Sequence, residues 1–405
     1  MGSDGRKTVA ILFGGRSSEH SISCATASGV LSAIDRERYR VLPIGITRDG
    51  AWVLEDDDPG KFALAEDAGK LPEVLDNGTR VHLPDSTRHR EATVSYLGGA
   101  AGARARVAAG DTGAIPVSPA DEAAAERSSR RSLGEVDVVL PLLHGPYGED
   151  GTVQGMLSLV DMPFVGSDVL AASVAMDKHY TKIVLRDAGL RVADGFTVFE
   201  HEWRADPEAV ASRVAELGFP VFVKPARAGS SVGVSKVKEA DALERAMRTA
   251  FAEDDHLLVE AAVSGREVEI AILESMPGRR PRASVAGEIV MTGAEFYDFG
   301  TKYLGESGVE LRCPAELEPE LLAEMAELGV RAFEALGAAS LARVDFFLTE
   351  DGFVVNEVNT MPGFTPISMF PKCWQASGLS YSELITELLE VALARAAVRR
   401  ERRGA

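Results

Sequence analysis

Cysteine is scarce in this sequence, positive charge is in deficit, and two common phosphate-binding signatures are missing. Three cysteines in 405 residues, Cys24, Cys313 and Cys373, lie far apart with no paired spacing. They make neither a disulfide framework nor a zinc motif, which fits a chain kept in a reducing compartment. Acidic residues outnumber basic ones 62 to 43, for a net charge of −19. A surface of that sign repels nucleic acid and anionic membrane, so neither is expected as a partner. The first apolar run, Val9–Phe13, is too short for a membrane span or a signal-peptide core. The expectation is a soluble, cytoplasmic protein. The G-x-x-x-x-G-K-[ST] order of a P-loop is absent, and Gly14-Gly15 does not extend to G-x-G-x-x-G.

What remains is ordinary globular material: 45% hydrophobic and 26% charged residues, enough for two or three domains. Val9–Phe13, a helix from about Ser21 to Ile34 and a strand at Tyr39–Ile46 open an α/β layer. Val136–Leu142 adds a strand, followed by the loop His144 to Gly151 and a helix at Thr152–Leu159. Residues 84–134 interrupt this layer with a Gly-, Ala- and Arg-rich stretch. A tolerated surface insertion with a few short strands is preferred there over a dedicated binding element. A helical stretch from Asp168 to Gly189 leads into alternating strands and helices, including Val221–Val223, Leu257–Glu260, Glu267–Leu273, Ala339–Thr349 and Phe353–Asn359. The domains expected are 1–145, 146–263 and 264–405.

Side chains alternate along a strand, so Arg343 and Asp345 share a face, as do Glu357 and Asn359. A three-residue turn, Glu350–Gly352, with Gly352 left-handed, sets Asp345 opposite Glu357 and Arg343 opposite Asn359, whereas a two-residue loop sets Asp345 opposite Val358 and scatters the carboxylates. Two carboxylates and an amide in an otherwise apolar hairpin need compensation. Magnesium ligation supplies it, and so does a salt-bridge cluster of Arg343 with Asp345 and Glu357; the residues alone leave both open.

Lys224 ends an apolar strand, five residues before Gly229-Ser-Ser-Val-Gly233. Small residues let backbone amides approach an anion, and the lysine adds fixed charge. A plain glycine hairpin is the competing reading. Lys178, after Met176-Asp177, also reads as a solvated helix charge, and Glu260 as a strand-end polar residue. Glu19, in the helix-entry loop Gly14 to Ser21, would repel phosphate but welcome an ammonium. His144 and Glu149 also suit loop capping.

The ordered set of segments resembles the ATP-grasp superfamily, and within it the D-alanine–D-alanine ligases. Its carriers are Leu12 to Ser23, His144 to Gly155, Met176-Asp-Lys178, Val223-Lys-Pro225, Gly229 to Gly233, Glu295 to Tyr303 and Asn356 to Gly363. The resemblance implies a mixed α/β and α+β fold of three domains: an N-terminal open α/β domain, and nucleotide held between two sheets of the others. It implies ATP on Lys178, Lys224, the loop with Ser231, the Glu260–Ala261–Val263 backbone, Glu267 and Lys302. Many members carry a longer polar side chain at Ala261, where the contact is to the main chain. It further implies two magnesium or manganese ions on Asp345, Glu357 and Asn359. Glu19, supported by Ser230 and Tyr303, would take the first D-alanine's ammonium, with His144 near that subsite. Ser368 would take the second substrate's carboxylate, and Arg343 with the Gly363 amide the oxyanion. The loop at about 292–312, read as dipeptide-forming at Tyr303, would close over the site and favours D-alanine over D-lactate or D-serine as acceptor. Peptidoglycan precursor synthesis and a homodimer follow from the same resemblance.

Overall fold

The computed structural model describes residues 5–64, 71–96, 130–291 and 309–404. The chain divides into two compact units, one of residues 1–148, 152–166 and 382–405, the other of 149–151 and 167–381.

The first unit holds strands β1 (Lys7–Gly14), β2 (Tyr39–Ile46), β3 (Trp52–Leu54), β4 (Thr79–His82), β5 (Glu91–Tyr96), β6 (Arg131–Glu135) and β7 (Val138–Pro141). β1 lies between β2 and β7, parallel to both, in a sheet ordered β3-β2-β1-β7. Its Val9 to Phe13 are 0% exposed, which is why β1 reads as a continuous apolar run rather than an alternating one. Helix His20–Ala33 connects β1 to β2, one residue earlier at each end than expected.

The strand expected at Val136–Leu142 proves to be only β7, because the chain changes sheets just before it. The Val136 amide still donates to Arg90 O, and the Asp137 amide already donates to Thr8 O on β1. β6 pairs antiparallel with β5 in a second sheet, β4-β5-β6. Ala92, Val94 and Leu133 of that sheet are buried in one apolar cluster with Ala10 and Leu12. The two ends of the 84–134 interval are therefore core, while 97–129 lie outside the described residues.

The C-terminal helix, Tyr381–Arg403, completes this unit. Its Glu390 accepts from Lys7 at 3.0 Å, Tyr39 at 2.7 Å and Arg38 at 3.2 Å, while Arg400 bonds Asp161 at 2.9 Å.

The second unit carries β8 (Gly195–Phe199), β9 (Val221–Pro225), β10 (Ser235–Val237), β11 (His256–Ala261), β12 (Arg266–Leu273), β13 (Arg282–Met291), β14 (Val309–Arg312), β15 (Leu341–Thr349) and β16 (Gly352–Asn359). They form two sheets, β10-β9-β11-β8 and β14-β13-β12-β15-β16. Each sheet buries one face under its own helices. Val210, Val214 and Met247 pack with Val221, Val223 and Val259 on the first; Val330 and Phe333 pack with Val268, Ile270 and Val344 on the second. The other face of each sheet carries the polar residues.

Three local expectations need correction. The helical stretch from Asp168 to Gly189 is two helices, Val169–Met176 and Lys178–Asp187, because the Asp177 carboxylate caps the second by accepting from the His179 and Tyr180 amides. Helices Glu200–Ala205 and Met369–Ala376 went unread in the sequence. In the hairpin, Asp345 does face Glu357 and Arg343 does face Asn359, but by another route. Thr349 pairs with Gly352, which leaves a two-residue Glu350-Asp351 turn, and a bulge at Asn356 shifts the register by one. Gly352 has φ 101°, as that position requires.

Cys313 and Cys373, 60 residues apart, bring their sulfurs to 3.7 Å as free thiols. Among the described residues no helix is long and apolar enough to cross a membrane.

Candidate active site

In the first unit the loop after β1 folds against the loop after β7. Ser17 Oγ donates to His144 O at 2.7 Å, and the Glu19 amide donates to Ser17 Oγ at 3.3 Å. A Cβ at Gly145 would sit 3.0 Å from Glu19 Oε2, so glycine there (φ 71°) lets the carboxylate approach that loop. Glu19 precedes helix His20–Ala33 without spending its side chain on the helix amides. His20, from the same motif, is structural: its Nε2 accepts from the Val74 amide, so its Nδ1 donates to Gly15 O. Burial, the largest influence, holds its pKa below the ordinary value. Glu19 and His144 thus share a loop cluster.

The second unit contains the remaining expected residues that are described. On the polar face of the first sheet, Lys224 and Glu260 are diagonal neighbours on β9 and β11, their Nζ and Oε2 atoms 2.8 Å apart. Lys182, from helix Lys178–Asp187, reaches Glu260 Oε1 at 2.9 Å and Val355 O at 3.3 Å. Gly195 lies opposite Glu260 on β8, where a Cβ would fall 2.4 Å from Val259 O. Burial works against the Glu260 carboxylate, but Lys224 and Lys182 outweigh it and hold its pKa at about 2. Lys224 is likewise opposed by burial and raised by Glu260, whereas Lys178 is lowered, chiefly by burial, against the pull of Glu357.

Lys178 lies one turn before Lys182 and donates to Ala228 O at 2.7 Å, which ties it to the start of the Gly229–Gly233 loop. Ser230 and Ser231 in that loop both hold left-handed backbone, with φ 50° and 59°. Such conformations cost about 1 kcal/mol or more each and concentrate at functional sites. Beyond Glu260, the Ala261 amide donates to Asp194 O and the Ala262 amide to Pro220 O, at 2.8 and 3.0 Å.

On the polar face of the second sheet, Glu269, Asp345 and Glu357 stand in register across β12, β15 and β16. Arg343 binds Asp345 through two bonds of 2.7 Å, and its Nε lies 3.0 Å from Glu269 Oε2. Asn359 Nδ2 is 3.1 Å from Asp345 Oδ2 and 3.4 Å from Glu357 Oε1. The salt-bridge cluster considered for this hairpin therefore exists, with Glu269 joining Asp345 on Arg343 and Glu357 adding its attraction. Carboxylates outnumber the guanidinium on this face, where Glu267, Glu269, Asp345 and Glu357 surround Arg343, and Glu357 is also drawn to Lys178. Like charges side by side on a sheet are unfavourable, and a divalent cation is the matching compensation. The donors are carboxylate and amide groups, the hard oxygen ligands that magnesium or manganese takes. The residues fit such an ion.

Glu267 sits two positions before Glu269 on the same face of β12. Gly363 and Ser368 follow β16. Ser368 starts helix Met369–Ala376 without capping it through its side chain, and its Oγ lies 2.7 Å from Thr365 Oγ1. Lys302 and Tyr303 lie outside the described residues, as does the 292–308 part of the expected closing loop.

The family description "D-ala D-ala ligase N-terminus" matches residues 8–167, and "D-ala D-ala ligase C-terminus" matches 184–390. The chain belongs to the D-alanine–D-alanine ligase family. It is 49% identical over 390 residues to the D-alanine–D-alanine ligase of Arthrobacter sp. (strain FB24), covering 96% of this chain and 94% of that one. To the ligase of Kineococcus radiotolerans it is 48% identical over 400 residues, covering 98% and 99%. Among solved structures it is similar to the D-alanine–D-alanine ligase of Coxiella burnetii, with TM-score 0.76, 30% identity and coverage of 98% and 97%. It is also similar to a D-Ala:D-Ser ligase of Enterococcus faecalis, with TM-score 0.73, 30% identity and coverage of 96% and 99%. The ATP-grasp fold implied by the motifs is the fold of this family.

Two members of the charged clusters escaped the sequence reading. Lys182 reads there as one more polar residue on an amphipathic helix, although its i, i+4 spacing from Lys178 puts both on one side. Glu269 carried the better signal, since Glu267 and Glu269 alternate with Val268 and Ile270 along one strand.

Proposed function

We propose that this chain joins two molecules of D-alanine into D-alanyl-D-alanine, with ATP converted to ADP and phosphate, in the cytoplasmic supply of peptidoglycan precursor. The observation that carries this reading is the pairing, in one unit, of a lysine-lined sheet with a carboxylate-lined one. Family membership gives the pairing its substrates.

In this scheme Lys178 and Lys224 hold the α- and β-phosphates, under the loop that contains Ser231. Because the Ala261 and Ala262 amides already donate within the fold, the adenine edge meets carbonyls of the Glu260–Val263 linker and the Val263 amide. Glu267 takes the ribose. Asp345, Glu357 and Asn359 hold two magnesium or manganese ions. When bound, these ions supply positive charge to the phosphate oxygens.

Glu19 binds the ammonium of the first D-alanine, with His144 beside that subsite and Ser230 and Tyr303 in support. The carboxylate of this substrate attacks the γ-phosphorus; the bond to ADP breaks and an acyl phosphate forms. Lys302 offsets the charge that moves. Ser368 binds the carboxylate of the second D-alanine, whose amine attacks the acyl carbon. Arg343 and the Gly363 amide stabilise the resulting oxyanion, and phosphate leaves. A closed loop protects the acyl phosphate from water. A homodimer is the proposed assembly.

The test is phosphate release with ATP, magnesium and D-alanine, with mass spectrometry of the product. Release with D-alanyl-D-alanine as product supports the reading. Turnover that appears only on adding D-lactate or D-serine overturns the choice of acceptor, and none with any acceptor overturns the enzyme assignment.

A further inference from the structure

On the same face of β11 as Glu260, at the other end of the strand, lies a second charged network. His256 begins β11 and is 6% exposed, as is Asp177. Its Nε2 lies 2.9 Å from Asp177 Oδ2 and its Nδ1 2.7 Å from Asp255 Oδ1. Its ring stacks on Phe199 with centroids 5.5 Å apart. A carboxylate faces each ring nitrogen, and only the imidazolium donates at both.

Asp177 does two jobs at once. Its Oδ1 caps the helix whose first residue is Lys178, accepting from the His179 amide at 3.0 Å, while its Oδ2 takes His256. Backbone bonds close the circuit. The Ala226 amide donates to His256 O at 3.1 Å, and the Lys178 amide to Ala226 O at 2.9 Å. Arg227, next along the chain, binds Asp254 through its own amide at 2.8 Å and Asp255 through its guanidinium at 2.7 Å. The start of the Lys178 helix, the approach to the Gly229–Gly233 loop and the start of β11 are therefore knotted together at His256.

We propose that His256, as an imidazolium between Asp177 and Asp255, is a positioning residue for nucleotide binding that fixes Lys178 and the Gly229–Gly233 loop relative to each other. This rests on reading Lys178, Lys224 and that loop as the nucleotide site. The titratable and charged groups around His256 are Asp177 and His179 from the Lys178 helix, Asp254 and Asp255 from the turn before its strand, and Arg227 from beyond β9; His201 lies tilted against the same Phe199. Burial presses the imidazole toward neutrality, but Asp255 and Asp177 outweigh it and raise its pKa above the ordinary 6.5.

The experiment compares His256→Gln, Asp177→Asn, the double variant and Lys224→Ala with the parent enzyme, using ADP with magnesium as the equilibrium probe and ATP in turnover. Asparagine keeps the helix cap, so Asp177→Asn removes the ion pair while sparing the cap. His256→Gln is expected to weaken ADP binding and raise the KM for ATP about tenfold, the size of a lost charged hydrogen bond. The KM for D-alanine is expected to move less than that for ATP, and kcat by less than about threefold. The double variant is expected to be no weaker than His256→Gln alone. In the parent, ADP binding is expected to weaken as pH rises through the raised pKa of His256, a dependence that His256→Gln lacks. Circular dichroism checks each fold.

Additive losses, or a folded His256→Gln that binds ADP like the parent while Lys224→Ala does not, overturn the proposal and leave the nucleotide reading standing. Lys224→Ala binding ADP like the parent overturns both.

Discussion

The two sheets of the second unit solve opposite electrostatic problems with the same device. On β9 and β11 a lone carboxylate, Glu260, is trapped between Lys224 and Lys182. On β12, β15 and β16 a lone guanidinium, Arg343, is trapped among carboxylates. In each, the minority charge holds the majority in place without cancelling it. One face is rich in lysine and the other in carboxylate, which suits a polyphosphate on one side and cations on the other. The comparison also separates two uses of a buried ion pair: orientation of the groups that remain, and stability of the fold.

The sharpest way to break this comparison is Glu357→Gln, which removes charge from the negative face without removing bulk. Turnover is expected to fall roughly 100-fold or more with circular dichroism unchanged. Substantial residual activity would count against a metal role for Glu357. Next in size, Lys182→Met leaves Glu260 with one cation instead of two. Removing one partner of a buried pair costs on the order of 3 kcal/mol, to be read from urea unfolding. A loss below about 1 kcal/mol would mean that Lys224 alone suffices.

A smaller effect should appear in the pH dependence of stability. The Glu260 carboxyl is held at about 2 instead of 4.5. A lowered pKa gives stability that is complete above the ordinary value and lost as pH falls from 4.5 toward 2. Melting curves of the parent and Glu260→Gln should therefore converge over that window, and parallel curves would count against the pairing. The smallest effect is expected from removing residues 98–129. The cut must stop short of Arg131, where β6 begins, and turnover should then change little. A collapse of activity would refute a tolerated insertion.

The hairpin with Asp345 and Glu357 was legible because alternation along a strand survives any turn that preserves the facing pair. How the pair comes to face was not legible, since the bulge at Asn356 compensates a turn one residue shorter than expected. The break at Asp177 had a signal, a capping residue inside a helical run, but its neighbours read equally well as one helix. Lys182 went unread because its burial depends on Glu260, 78 positions away. The partnerships of His256 with Asp177 and of Cys313 with Cys373 likewise arise only when distant segments meet. Local pattern carries strands, faces and motifs. It does not carry which buried charge finds which partner.

The C-terminal helix has a consequence for synthesis on the ribosome. Residues 167–381 are contiguous and make up nearly all of the second unit, whereas the first unit is completed by residues 382–405. Glu390, which gathers Lys7, Arg38 and Tyr39, is translated more than 340 residues after them. Vectorial synthesis usually lets the N-terminal part of a chain fold first. Here the starts of β1 and β2 meet Glu390 only once helix Tyr381–Arg403 has been made. The strands made first take a charged partner from the last helix described.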